Sequence, residues 1–356
     1  MRLIIYLYTI TLLAVSTQTQ SKPLNTINNT TEQLGSLSDV AFVGGHILNP
    51  SLDIPISNAT ILVSNGKVVN IQPSTEQIPK HIKIVDISNK WVIPGLIDGH
   101  IHLAQSGSAF TRPDTIDATA IFPYEQDQKI LLDNTEHILK RYLALGITSV
   151  FDLGGPSEYV KHYKKSINTK HLPDVYVAGT LLSPMSVPAL NVNGATFTQV
   201  TSADAALEQV KQLIALDTHI IKVVWSQETG LSTEQLYNLY LPAIKLAHQH
   251  NKIVAVHVED LANAKMAIKA GGDILVHGVI SDKIDDEFIQ LAKLNNVTYM
   301  PTLSAYNHYF QLFKNTLEFT PFQHQHGDKA TIDSFKRLML QSDKTGQMFQ
   351  LLLQYS

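Results

Sequence analysis

Short apolar runs separated by turn residues occupy residues 41–87. AFVGGHIL, ATILVS, KVVNI and IKIVDI each have the length and β-branched content of a strand. Asn65-Gly66 lies between ILVS and KVV, and both positions of a tight hairpin turn require positive φ. These runs predict a small antiparallel β-sandwich unit over residues 39–90. From Trp91 the pattern changes. Near-continuous apolar segments alternate with amphipathic ones: WVIPGLIDGHIHL, ITSVFDL, DVYVAGT, HIIKVVW, KIVAVHV, DILVHGV and VTYMPTL are the strand candidates. Helical periodicity falls between them, over 203–215, 233–248, 261–270 and 285–294. Gly146, Gly271 and Gly272 sit where helices should end. Strands that are apolar on both faces and alternate with helices indicate a parallel sheet covered by helices. The number of such units, and the lack of a G-x-G-x-x-G turn, favour a TIM-like (β/α)8 barrel over a doubly wound sheet.

The first residues read as an address. Met1-Arg2 precedes the apolar run LIIYLYTITLLAV, which is short against the roughly 20 residues of a bilayer span. Polar residues follow, with Ala14-Val15-Ser16 supplying small side chains for cleavage. Residues 1–20 are therefore expected to be a secretory signal peptide. They would be followed by a flexible lead-in over 21–38 and a barrel domain over 91–356. Export to a periplasmic or extracellular space follows, with no integral membrane span after signal cleavage.

The chain has 356 residues, a net charge of -4 and no cysteine. That balance gives no electrostatic footprint for nucleic acid. Without cysteine there is no disulfide, thiolate metal site, Fe–S cluster or cysteine nucleophile. Any metal must be held by His, Asp, Glu or a modified Lys, and there are 15 histidines. In a barrel of this kind the site lies at the C-terminal ends of the strands. The first barrel strand ends in His100-Ile101-His102, and period-two geometry puts both imidazoles on one side. The fourth carries Lys222 inside an apolar run, the fifth ends in His257 and the sixth in His277. A lone buried histidine is usually a core residue, but four of them and a lysine at the same ends form a pattern. A buried unpaired ammonium is costly. Carbamylation by CO2 would convert Lys222 into an anionic oxygen ligand. Asp98 and Asp152, also at strand ends, are the expected partners behind the ligands. Glu259 and Asp260 read better as a charged helix start. The pairs His248/His250 and His324/His326, at a helix end and in a polar loop, are expected to be solvated.

The segment VIPGLIDGHIH (92–102) resembles the first-strand signature of the amidohydrolase superfamily. LGITSV with Asp152, then Ile221-Lys222-Val223, Val256-His257-Val258 and Ile274-Leu275-Val276-His277-Gly278 follow in the family's order. The resemblance spans roughly 43–306 and points to the branch of imidazolonepropionase-related and Xaa-Pro dipeptidase-like enzymes. It implies a hydrolase of amide-type C–N bonds in small molecules, including dipeptides and cyclic amides. It also implies two divalent ions, with zinc as the expected metal: His100 and His102 on one, His257 and His277 on the other, and carbamylated Lys222 between them. The strand-four lysine favours this binuclear type over a mononuclear deaminase. Two features depart from the family. Where a Gly-Gly-His stretch is common, this chain reads SPMSVPALNVNGATF. The family's eighth strand, ending in Gly-Thr-Asp, has no counterpart, because Asp282, Asp285, Asp286, Asp328, Asp333 and Asp343 follow no apolar strand. The barrel is thus expected to lack strand 8 and the proton-shuttling Asp, so no catalytic acid or base is assigned. The alternative function is a non-catalytic remnant that binds metal or ligand only. The sequence leaves a homo-oligomer open.

Overall fold

The computed structural model describes residues 39–49, 54–80, 82–111, 113, 117–167, 171–341 and 346. The signal peptide, the lead-in, Asp343 and the apolar 348–356 segment lie outside the described residues. Contacts divide the chain into two units, meeting between Pro94 and Gly95.

The first unit carries one mixed sheet made of β1 (Val40–Ile47), β2 (Ile56–Ser64), β3 (Lys67–Pro73), β4 (Lys83–Asp86) and β5 (Trp91–Val92), with β1 at its centre. β2 pairs antiparallel with β1 and with β3. Asn65 and Gly66, at φ of 50° and 76°, form the turn between β2 and β3 that the sequence announced. The expectation of a purely antiparallel unit does not hold, because β4 and β5 both run parallel to β1. β4 follows β3 in sequence but lies on the other side of β1 from β2, paired with the start of β1. At Gly44-Gly45 the register of β1 breaks, and a Cβ on Gly45 would approach the Ile87 side chain at 2.5 Å. Beyond that bulge β1 changes partner, and His46–Ile47 pair with Trp91–Val92.

The run WVIPGLIDGHIHL is therefore two strands. Its first two residues belong to the front sheet, and Pro94, which has no N–H to donate to a ladder, marks the break. The barrel strand proper is β6 (Leu96–Ile101). It begins a parallel three-stranded sheet with β7 (Ile147–Asp152) and β8 (Asp174–Val177). Six further strands form a second parallel sheet: β9 (Leu181–Ser183), β10 (Phe197–Gln199), β11 (Ile220–Val224), β12 (Ile253–His257), β13 (Ile274–Val276) and β14 (Thr298–Met300). Their order is β10-β9-β11-β12-β13-β14. A hydrogen bond of 2.9 Å from His219 N–H to Val177 O links the two sheets. Between the strands run α1 (Tyr124–Asp133), α2 (Thr135–Ala144), α3 (Val160–Ile167), α4 (Ala203–Ala215), α5 (Thr233–Gln249), α6 (Leu261–Ala270) and α7 (Asp286–Leu294). This alternation is that of a TIM-like α/β barrel. After β14 come α8 (Leu303–Phe313), α9 (Pro321–His326) and α10 (Lys329–Met339). No helix among the described residues is long and apolar enough to cross a membrane.

Local chemistry explains why the helices start and stop where they do. Ser202 caps α4 by accepting from Ala205 N–H, and Ser232 with Gln235 forms a reciprocal capping box on α5. Gly271 closes α6 at φ 105°, a left-handed position that glycine adopts without steric cost. The largest core cluster lies between β11, β12, β13 and α4 to α6. Trp225 and Tyr240 are its biggest fully buried aromatic members, with ring centres 5.7 Å apart. Tyr240 donates to the carbonyls of Leu182 and Val224, and so ties α5 to the strand ends.

Candidate metal centre

The ends of β6, β11, β12 and β13 open into one cavity of about 830 Å³, whose wall includes His100, His102, Lys222, His257 and His277. The sequence-predicted cluster is thus brought together, from strands spread over 180 residues of chain. The imidazoles form a chain of neighbouring rings: His102 and His100 at 5.3 Å, His100 and His277 at 4.9 Å, His277 and His257 at 4.4 Å. Among the described residues, no three His, Asp or Glu side chains by themselves form a finished cage. The four histidines instead form a continuous row of rings in a cavity that Lys222 also lines.

Lys222 is the centre of β11, whose five residues are all buried. Its side chain is 1% exposed, and Nζ has no hydrogen-bond partner among the described residues. Burial alone pulls its pKa down to about 7. The imidazoles of His100 and His277 are held far below the usual range, first by burial and then by the charges of their neighbours, Lys222 among them. Both are therefore neutral at physiological pH, the form that binds a metal. His277 has φ 77°, an uncommon conformation for a side-chain-bearing residue, and its N–H bonds to Met300 O at 3.0 Å. On the opposite strand, Gly99 is hemmed in by Met300, whose Cε would lie 2.6 Å from an added Cβ. A larger residue at Gly99, just ahead of His100, would require the end of the Met300 side chain to move.

The residues behind the cluster support its rings and its backbone. His102 Nδ1 lies 2.8 Å from Gly154 O. A proton on Nδ1 makes this a hydrogen bond and puts the ring's lone pair on Nε2, the form in which an imidazole can bind a metal. The carboxylates of Asp98 and Asp152 hold backbone: Asp98 accepts from His100 N–H at 3.2 Å, and Asp152 from Leu103 N–H at 3.2 Å. Asp152 is buried at the end of β7, and desolvation raises its pKa to about 7. The pair thus fixes the strand-end backbone on which the His-x-His is mounted. Gly154 was not singled out from the sequence; the signal was the Leu153-Gly154-Gly155 sequence at the end of β7. Its φ of 142° and the close approach of the Leu181 side chain leave no room for a Cβ.

The remaining candidates take structural positions. Asp260 caps α6, accepting from Asn263 N–H at 2.9 Å, as a helix start should. Glu259 nonetheless faces the cavity. His248 pairs with Asp273 at 2.9 Å on the surface. His324 and His326 lie in the short helix α9, not in a loop, because Thr320, Pro321 and Gln323 form a capping box with proline in the first turn. Asp285 and Asp328 cap α7 and α10, and Asp333 pairs with Lys329. The segment 183–197, read as a departure from the family, connects β9 to β10 and supplies several cavity residues.

The fold is that of a parallel α/β barrel that carries a His-x-His, a buried lysine and two further histidines along one cavity. The amidohydrolase family model matches residues 91–329, and the chain belongs to that family. Dihydroorotase from Anaeromyxobacter sp. (strain K) is 28% identical over 132 residues, covering 34% of this chain and 30% of that protein. Imidazolonepropionase from Geobacillus kaustophilus is 25% identical over 159 residues, covering 37% of this chain and 38% of that protein. The chain therefore spans about a third of the length of these curated relatives. Among solved structures, a Xaa-Pro dipeptidase with bound methionine superposes with a TM-score of 0.62 at 20% identity, covering 87% of this chain and 77% of that one.

Proposed function

We propose that the chain forms the metal centre of a hydrolase that cleaves an amide-type C–N bond in a small molecule. The observation that carries the reading is Lys222: a fully buried amine without a hydrogen-bond partner among the described residues, lining the cavity that four histidines also line. A buried amine without a partner costs free energy, and it serves no purpose in a barrel core unless something else completes it.

The donor set fits two divalent ions. His100 and His102 would hold one, His257 and His277 the other, and Lys222, carbamylated, would lie between them. Nitrogen donors with one anionic oxygen bridge suit zinc. Such ions, when bound, acidify a water molecule and polarise a carbonyl oxygen. The protein's own contributions can be stated separately. Gly154 O orients the His102 ring, and burial keeps His100 and His277 unprotonated. The depressed pKa of Lys222 leaves much of it as free amine near pH 7. The Nζ lone pair adds to the carbon of CO2 and the nitrogen loses a proton, giving the carbamate. The cavity carboxylates Asp98, Glu228 and Glu259 are the described groups placed to accept a proton from water or return one to the leaving nitrogen. In this reading the front sheet is half of a small β-sandwich, the barrel is of the TIM-like type without its eighth strand, and residues 1–20 export the protein.

The test is hydrolysis of a panel of dipeptides, N-acyl amides and cyclic amides by the full chain, with zinc and after chelation. Turnover that disappears on chelation and returns with zinc is expected. Stoichiometric metal without turnover on any amide would favour the binding-only alternative, and turnover insensitive to chelation would contradict the proposal.

A further inference from the structure

The cavity has a second wall that the metal reading does not use. Between β8 and α4 the chain makes a detour over residues 181–200, and Leu181, Met185, Val187, Leu190 and Phe197 from this detour line the same cavity as the histidines. The detour is held from within. β9 and β10 pair in parallel register, Leu181 with Phe197 and Ser183 with Gln199. Asn191 clamps Phe197 from both sides, its amide donating to Phe197 O at 3.0 Å and its carbonyl accepting from Phe197 N–H at 2.9 Å. Thr180 Oγ1 donates to Thr196 O at 3.1 Å, and Gln199 reaches Pro184 O at 3.0 Å. Leu181 and Leu190 are buried, while Met185, Val187 and Phe197 remain half-exposed. The backbone is thus fixed before any ligand arrives, yet apolar side chains stay uncovered beside the polar cluster. A largely pre-formed apolar wall next to a few convergent polar groups is the usual make-up of a small-molecule subsite.

The geometry points to a substrate class: an amide that carries a bulky apolar substituent, aromatic or branched aliphatic, seated on the wall formed by Met185, Val187, Leu190 and Phe197. This assignment rests on the metal-hydrolase reading for the position of the amide, and on the detour alone for the substituent. The wall sets specificity by desolvation. A substituent of phenylalanine size covers the half-exposed side chains, whereas a hydrogen in its place leaves them wet. No residue of the wall is a proposed metal ligand, so its effect is on which amide binds.

The test is the affinity of the full chain for N-acetyl-phenylalaninamide against N-acetyl-glycinamide, measured by NMR titration with zinc and after chelation. Phenylalaninamide is expected to bind at least tenfold more tightly in both conditions. Phe197→Ser and Val187→Ser, each checked for folding by circular dichroism, are expected to shrink the ratio to threefold or less at unchanged metal content. Two independent variants guard against one that fails to fold. A wild-type ratio below tenfold, no saturable binding of phenylalaninamide, or a ratio that survives both folded variants would overturn the assignment. Failure of the metal reading shows elsewhere, as lost metal or absent chelator-sensitive hydrolysis, because the titration after chelation does not depend on metal.

Discussion

Lys222→Met makes the metal-free chain more stable and removes its capacity to hold a full complement of metal. The two effects have opposite signs because the lysine is a poor core residue and, in the proposed function, a ligand. Methionine has a similar length, fills the same space between apolar neighbours and has no amine to desolvate. Replacing an unpaired buried polar group with an apolar one of matching shape contributes about 1–3 kcal/mol. The pH dependence identifies the cause. Lys222 is a base whose folded pKa lies near 7, below its ordinary value of 10.5. Between those values the unfolded chain binds more protons than the folded one. Wild-type stability therefore rises with pH across that window, by this group's contribution. The methionine variant should lack that part of the slope. Urea midpoints of both proteins from pH 7 to pH 10, after chelation, make the comparison. A lysine with a purely structural role would give the contrary result, a less stable variant with an unchanged slope.

Trp225→Ala costs about 3–5 kcal/mol, the range for truncating a large buried aromatic side chain. Trp225 is fully buried at the end of β11, stacked obliquely on Tyr240. Its indole N–H donates to Asn263 at 3.1 Å, and Asn263 in turn donates to Asp260, the cap of α6. Its backbone N–H bonds to His257 O at 2.9 Å. Truncation opens a cavity and leaves the buried Asn263 oxygen without this donor, so packing and hydrogen bonding are lost together. Trp225→Phe keeps much of the packing and loses the donor, and should cost less. Denaturant midpoints distinguish the two, and equal costs would show that the hydrogen bond, not the volume, dominates. Since His257 shares a backbone bond with Trp225, the alanine variant should also weaken metal retention.

Much of the barrel was readable because its strands are apolar on both faces. Ile220–Val224 and Ile253–His257 fall within the predicted runs, and α4 and α6 begin and end at the predicted residues. Caps and glycines carry those boundaries in side-chain chemistry that a sequence shows directly. Pairing partners are not local in that way. β4 looks like any short strand, and nothing in IKIVDI says that it runs parallel to β1. Trp91–Val92 and Leu96–Ile101 read as one strand because apolar character continues across Pro94-Gly95, although the two halves belong to different units. The four histidines and Lys222 were legible because chemistry-bearing residues recurred at equivalent strand ends. The supporting carbonyl of Gly154 was not, because any residue can offer a carbonyl and only the fold determines which one meets His102. Within the detour, residues 183–197 were seen only as an absent family motif, since their apolar residues have no regular period.

The central claim is that His100, His102, Lys222, His257 and His277 form one metal centre, and metal content tests it most directly. Elemental analysis of the purified full chain, after incubation with zinc and removal of excess, is expected to give close to two equivalents. His100→Ala combined with His102→Ala is expected to lose at least one of them while circular dichroism remains that of a folded protein. Equal metal content in the wild type and the folded double variant would contradict the assignment.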